Sequence, residues 1–376
     1  MYDVAVVGTG PSGCATALAL AASGASVVML EKAALPRYKT CGGGLLRRAS
    51  QLLPVSIDAA IERKCFDVAL NFTHPELQFV TRRRESMIQM TMRADLDHLL
   101  HSEAQNAGAR LMDSCAVGAV EQHPDFVSLH TSRGEVRARF AIAADGANSA
   151  VATAAGWIET RKLIPALEVE VHVNEADFAR LSPLARFDVG VIDAGYAWMF
   201  PKRSHLSVGV LSMRRGKVHL QNALDDYFKL LGIREPLKIE KHGYVIPVTP
   251  RQGLLAKGRI LLTGDAAGLA DPVTAEGITH AILSGQLAAG TLVDCAFDVA
   301  QVARLYQTRL EQDLLPELRA ARFLARLLYE HPRLCAWAFR HHGQALSELV
   351  ADVVMGKRSY RETLFKPGSY LRLLGF

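Results

Sequence analysis

The stretch from Val4 to Glu31, VAVVGTGPSGCATALALAASGASVVMLE, constrains the fold more than any other part of the chain. Val4 to Val7 read as a buried strand and Val27 to Leu30 as the next one, with a small-residue helix between them entered through Gly8, Gly10 and Gly13. In that G-x-G-x-x-G turn, Gly8 permits the tight bend, Gly10 lets a pyrophosphate approach the backbone, and Gly13 lets the helix lie close on the strand. Pro11 and Ser12 stand at the helix start, where free N–H groups and the helix dipole favour phosphate. Glu31 ends the second strand where an acid accepts hydrogen bonds from a ribose, and Lys32 follows it. Such an acid suits FAD or NAD and disfavours NADP. No charge occurs between Val4 and Leu30, yet the glycines and Pro11 break the run well short of the roughly 20 apolar residues a spanning helix needs.

With 376 residues the chain has room for two or three domains, and 49% hydrophobic with 22% charged residues describes a globular protein rather than a disordered one. The net charge of +5 is mild, no block of five like charges occurs, and Arg82 to Arg84 read as a solvated face. Nothing favours nucleic-acid binding. Six cysteines, at 14, 41, 65, 115, 295 and 335, form no C-x-x-C pair, which argues against zinc and iron–sulfur sites and predicts a reducing cytoplasmic setting. His98 and His101 share a helix face without a third ligand in the pattern, so no metal is expected. The absence of G-x-S-x-G leaves serine hydrolysis unsupported.

Three other stretches carry information. Ala34 to Leu45 ends in Cys41-Gly42-Gly43-Gly44, either a flexible loop or backbone held close to something flat, with Cys41 an inert thiol or a site residue. Gly195 to Pro201, GYAWMFP, puts Tyr196, Trp198 and Phe200 on one face of a strand, as a hydrophobic sheet face or as the wall of an apolar pocket. Ile260 to Leu262 form a buried strand running into Gly264-Asp265, with Pro272 and Gly277 fixing the loop before a helix from about Glu276 to Ala296; a carboxylate there suits a ribityl hydroxyl. Alternating residues between 65 and 92 and between 164 and 213 predict a second, antiparallel sheet. Arg93 opens a helix, where a cation opposes the dipole and calls for a partner such as phosphate. From Val299 on, apolar residues including Phe323, Leu324 and Leu328 interleave with Arg319, Arg322 and Arg326, predicting a helical subdomain that also suits a membrane surface.

Taken together, these motifs resemble FAD enzymes with the fold of p-hydroxybenzoate hydroxylase, and within them the geranylgeranyl reductase family. The resemblance rests on Pro36 to Gly44 as P-x-x-K-x-C-G-G, on Tyr196 to Pro201 as Y-x-W-x-F-P with Gly209 downstream, and on Asp265 through Pro272 to Glu276-Gly277-Ile278. It implies an α/β fold: a Rossmann-like FAD-binding domain (1–64, 93–160 and 244–298), an antiparallel-sheet substrate domain (65–92 and 161–243) and a helical C-terminal region (299–376). It implies that Gly8, Gly10, Pro11, Ser12, Gly13, Glu31 and Lys32 hold the adenosine side of FAD, and Arg93 the pyrophosphate side. Gly264 and Asp265 meet the ribityl-pyrophosphate portion. Cys41 to Gly44 and the loop of Pro272, Glu276, Gly277 and Ile278 lie by the isoalloxazine, while Tyr196, Trp198 and Phe200 line a cavity for a hydrophobic lipid substrate.

The implied activity is saturation of isoprenoid C=C bonds by hydride from N5 of reduced, non-covalently bound FAD, with Cys41 or an ordered water as proton donor. With one dinucleotide motif in the chain, NADPH or a redox protein docks transiently as electron donor. A cytoplasmic protein, peripheral to the membrane, follows from such a substrate. A flavin monooxygenase or halogenase uses the same cofactor motifs and is the alternative; a non-catalytic flavin or lipid-binding protein ranks last.

Overall fold

The computed structural model describes residues 1–214 and 218–365, and the part of the expected C-terminal helical region at 366–376 lies outside the described residues. Among the described residues the strands form sheets of eight, seven and three strands.

The eight-stranded sheet grows from the opening stretch. Tyr2–Val7 lies between Val27–Leu30 and Gly134–Ala143, parallel to both, because Val4 to Val7 are apolar on both faces and can only be buried on both. Arg110–Met112 extends one side and Ile260–Leu262 the other, also in parallel. The helix Pro11–Ala22 covers one face and packs on Ile278–Asp294. Two of its glycine contacts admit no side chain: a Cβ on Gly8, whose φ is +100°, would stand 2.4 Å from Ala144 O, and one on Gly13 would stand 1.9 Å from Gly8 O. The bend and the close helix seat are therefore set by sterics alone.

The seven-stranded sheet runs in the order Lys238–Pro247, Leu163–His172, Leu206–Ser212, Gly195–Pro201, Ala185–Val189, Asp67–Phe72, Leu77–Arg82. It departs from the expected antiparallel pattern at one place, where Ala185–Val189 pairs in parallel with Asp67–Phe72. These two strands come from distant parts of the chain, so no hairpin dictates their direction. One face packs on the helix Leu220–Leu231 through Val169, Val171, Met199, Val208 and Val210. The opposite face carries Tyr196, Trp198 and Phe200, so Gly195–Pro201 is buried along its whole length.

Of the alternating stretch 65–92, Ile88–Thr91 joins neither large sheet; it pairs with Gly44–Leu46 and Ile61–Cys65. This small sheet ties the glycine-rich loop to the start of the helix Arg93–Asn106. Helices Val299–Asp313, Leu315–Glu330 and Pro332–Val354 follow, the last packing on the Leu77–Arg82 strand so tightly that a Cβ on Gly343 would overlap the Phe79 ring at 1.9 Å. Phe323, expected among the packing residues, is 51% exposed. No helix among the described residues is long and apolar enough to cross a membrane.

Candidate active site

One continuous cavity of about 810 Å³ runs between the two large sheets and under the C-terminal helices. Gly8, Gly10, Ser12, Glu31 and Arg93 line one end, and Phe72, Leu328, Phe339 and Val350 the other. Most residues singled out in the sequence meet here: Pro11, Lys32, Cys41 to Gly44, Asp265, Glu276, Gly277, Ile278, Tyr196, Trp198 and Phe200 all face it. Gly13, Gly264 and Pro272 do not line it. Gly264 sits behind the wall, where a Cβ would come within 3.1 Å of the Ser12 Cβ.

The polar end fits the ADP half of FAD. Helix Pro11–Ala22 has no side-chain cap, and its first residues, Pro11 and Ser12, line the cavity end. The buried Ser12 hydroxyl has no hydrogen-bond partner among the described residues. A Cβ on Gly10 would meet only Arg93 Nη2, at 3.6 Å, which leaves the approach to the backbone open. Glu31 is buried, with Oε2 accepting from Thr9 N at 3.2 Å and Thr9 Oγ1 at 2.8 Å, and Oε1 from Ala33 N at 3.1 Å. Burial works to raise its pKa, but Arg37 (Nε at 3.2 Å) and these donors outweigh it and hold the pKa below the usual range. Thus the carboxylate stays charged, as a ribose acceptor must. Arg93 finds a partner on its own helix, pairing in fork geometry with Asp97 at 2.9 Å through both Nε and Nη2. Burial opposes its charge, while Asp97 and the Cys41 sulfur more than restore it.

The triple glycine is shaped by the aromatic strand. A Cβ on Gly42 would stand 2.8 Å from Trp198 Nε1, and one on Gly44 would stand 2.9 Å from Phe200 Cε2. The flat surface against this backbone is the protein's own indole and phenyl wall. Three bonds pin the loop: Lys202 Nζ donates to Gly42 O at 2.8 Å, Thr91 N to Gly43 O at 2.9 Å, and Cys41 N to Glu168 Oε2 at 2.9 Å; a second bond from Lys202 Nζ, to Thr91 O at 2.8 Å, ties this lysine to the small sheet. Gly43 N donates to Cys41 Sγ at 3.4 Å.

Glu168 and Lys202 were not visible as site residues in the sequence. Lys202 follows the aromatic motif directly, and its complete burial is what would have flagged it. Glu168 lies in the run Leu167-Glu168-Val169-Glu170-Val171, whose valines announce one face and whose acids look like an ordinary wet one. Instead both acids are buried. Burial, then the nearby Glu170 charge, pushes the Glu168 carboxyl up to about 7. Lys39, from the same loop as Cys41, stacks its ammonium 3.4 Å over the Tyr244 ring, and burial lowers its pKa to about 8.

Across the cavity, burial raises the Asp265 carboxyl against the pull of Lys39, Arg93 and Arg161. Arg161 was also missed; it donates to Asp265 O at 2.6 Å and Ala147 O at 2.7 Å and fixes that turn. In the following loop the Asp271 carboxylate accepts from Val273 N at 2.7 Å and Thr274 N at 3.0 Å. Tyr196 OH donates to Thr274 O, fastening the aromatic wall to this loop. His98 Nδ1 and His101 Nε2 lie 3.2 Å apart as a pair on their helix.

A family model described as FAD binding domain matches residues 1–215. Digeranylgeranylglycerophospholipid reductase 1 of Methanopyrus kandleri is 30% identical over 358 residues, 88% of this chain and 91% of that protein. The solved structure of a geranylgeranyl bacteriochlorophyll reductase-like protein from Thermoplasma acidophilum superposes with a TM-score of 0.77 at 22% identity, over 100% of this chain and 96% of that one. The halogenase PltM in complex with phloroglucinol and FAD reaches a TM-score of 0.72 at 16% identity, over 100% of this chain and 85% of that one, a likeness of fold alone.

Proposed function

From a chain that belongs to the geranylgeranyl reductase family of FAD-dependent oxidoreductases, we infer an enzyme that saturates C=C bonds of an isoprenoid chain. The observation that carries this reading is the shape of the cavity, with a dinucleotide turn at one end and a long apolar wall at the other. FAD, when bound and reduced, supplies hydride. The chain's own residues do the rest. Glu31 and the Pro11–Ala22 N-terminus hold the adenosine and phosphates, and Arg93 and Asp265 flank the middle of the cofactor. Tyr196, Trp198 and Phe200 hold the alkene and keep water away, which an unactivated double bond requires. Cys41 is the candidate proton donor to the second carbon. NADPH or a redox protein reaches the site from outside, since the sequence has one nucleotide-binding turn.

A halogenase or monooxygenase shares the cofactor end. Against it stands the pinned Cys41-Gly42-Gly43-Gly44 loop, which fits the reductase motif, and the relative named for digeranylgeranylglycerophospholipid. The deciding experiment is anaerobic incubation of the reduced, FAD-loaded protein with geranylgeranyl diphosphate and with geranylgeranylated lipid, followed by mass spectrometry. Gain of hydrogen pairs supports the reading. No gain on any isoprenoid, with oxygen uptake on an aromatic substrate, rejects it.

The substrate class also implies a lipid surface. Phe323, Leu334 and Trp337 are each more than half exposed, beside the exposed Arg322, Arg326 and Arg333, on the two helices whose inner residues Leu328 and Phe339 line the cavity. Aromatic and basic residues together suit an anionic bilayer. Flotation with anionic vesicles should carry the protein upward and fail for the Phe323→Ser, Trp337→Ser double variant; equal flotation of both would discard this contact.

A further inference from the structure

Reducing a C=C bond consumes a proton as well as a hydride, and the aromatic and apolar walls of the site offer few groups to supply it. A line of titratable side chains leads out of it. Glu168 faces the cavity, with Oε2 on Cys41 N and Oε1 accepting from Ser207 Oγ at 2.9 Å. Two residues on, Glu170 points to the same face of the strand; it is 4% exposed, and among the described residues neither of its oxygens has a hydrogen-bond donor. His205 Nε2 comes within 3.0 Å of Glu170 Oε2, out of line for a hydrogen bond, and its ring stacks on His172 with centroids 5.0 Å apart. His172 is half-buried, on the strand that pairs with the exposed Lys238 and Glu240.

We propose that Glu168, Glu170, His205 and His172 form a proton relay that restores the acid of the active site from solvent. Its direction, inward, rests on the isoprenoid-reductase reading. In each cycle the Cys41 S–H bond breaks as a C–H bond forms on the substrate, and the thiolate is left facing Gly43 N–H and the Arg93 guanidinium. Glu168 O–H then breaks and S–H re-forms. The Glu168 carboxylate takes a proton from Glu170, Glu170 from the His205 imidazolium, and His205 from solvent past His172. One proton enters for each bond saturated, and no electrons move along the relay.

The surroundings suit a carboxyl that both holds and gives up a proton near neutrality. Glu170 on its own strand disfavours the charged form and the buried Lys202 favours it. Tyr38 faces both acids from the glycine-rich loop, and His242 and Glu240 lie opposite Glu168 and Glu170 on the neighbouring strand. Among the described residues neither acid has a direct ion pair with Lys or Arg. A purely structural acid this deep would be expected to have one.

Infrared difference spectra of the FAD-loaded protein across neutral pH test this without turnover. The expected result is a protonated-carboxyl band that titrates near pH 7, disappears in Glu168→Gln, persists in Glu168→Asp, and moves to lower pH in Glu170→Gln, which removes the like charge. Glu168→Gln keeps an oxygen acceptor for Cys41 N, so FAD content should hold while steady-state turnover falls about 100-fold. His205→Leu should leave the first turnover intact and slow the later ones. A band that survives Glu168→Gln, or is unmoved by Glu170→Gln, overturns the relay. If the bands behave as described and no isoprenoid is reduced, the relay stands and the functional reading fails.

Discussion

Gly43→Ala isolates what the glycine-rich loop contributes. Gly43 has φ +68°, where a side chain costs about 1–2 kcal/mol. Its new Cβ would also stand 2.0 Å from Thr91 O and 2.1 Å from Lys202 Nζ. One of these is backbone, so relief needs a shift of the small sheet or release of the loop. Overpacking of this kind adds about 1–3 kcal/mol. Gly24→Ala is the matched control, since Gly24 has φ +86° and nothing within 4 Å of its Cβ position. Both substitutions stiffen the unfolded chain alike, so their difference reports the overlap, about 1–3 kcal/mol. Releasing the loop instead gives up the bonds to Lys202, Thr91 and Glu168, each worth about 1 kcal/mol. Release and strain are therefore comparable, and the loop should detach in part. Urea unfolding followed by tryptophan emission measures the difference, and trypsin cleavage at Arg37 or Lys39 measures release. Equal unfolding midpoints for the two variants, with no new cleavage, would show that the loop does not sit between Thr91 and the aromatic wall.

Two further outcomes follow from the cofactor end. Ser12→Ala removes a buried hydroxyl that has no partner among the described residues, so the cofactor-free protein should unfold within about 0.5 kcal/mol of wild type. FAD binding, measured by calorimetry, should weaken about fivefold for one lost hydrogen bond; unchanged FAD affinity would exclude Ser12 from the phosphate site. Glu31 has a pKa below its unfolded value, so its contribution is complete above about pH 4.3 and is lost as pH falls through the lower folded value. Glu31→Gln should flatten that acid limb of the unfolding profile, and an acid limb of undiminished slope would place the dependence on other carboxylates.

The cofactor end was legible because its constraints are local. Gly8, Gly13 and Glu31 act within 30 residues of one another, and the steric demands that make them glycines are written into the strand, turn and helix that contain them. The second sheet was legible as alternation, yet its single parallel pairing was not, since Asp67–Phe72 and Ala185–Val189 come from distant parts of the chain and no local turn sets their direction. The same distance hid Lys202 and Glu168. Each reads as an ordinary polar residue beside a hydrophobic strand until the loop from Cys41 to Gly44 is laid across them.

That juxtaposition also explains why the motifs around Cys41 and around Tyr196 to Pro201 belong together. Gly42 and Gly44 are small because Trp198 and Phe200 are large, and Lys202, one residue past the aromatic strand, fastens the carbonyl of Gly42. A bulkier loop would have to leave the wall, taking Cys41 away from Glu168. In physical terms the two stretches are a single unit of packing and charge, split in the chain by the residues that build the sheet between them. Enlarging the loop and shrinking the wall together, as in Gly42→Ala with Trp198→Phe, should therefore cost less than the sum of the single changes by about 0.5–3 kcal/mol. Strict additivity in unfolding free energy would mean that the contact carries no coupling and that the loop is held by its bonds to Lys202, Thr91 and Glu168.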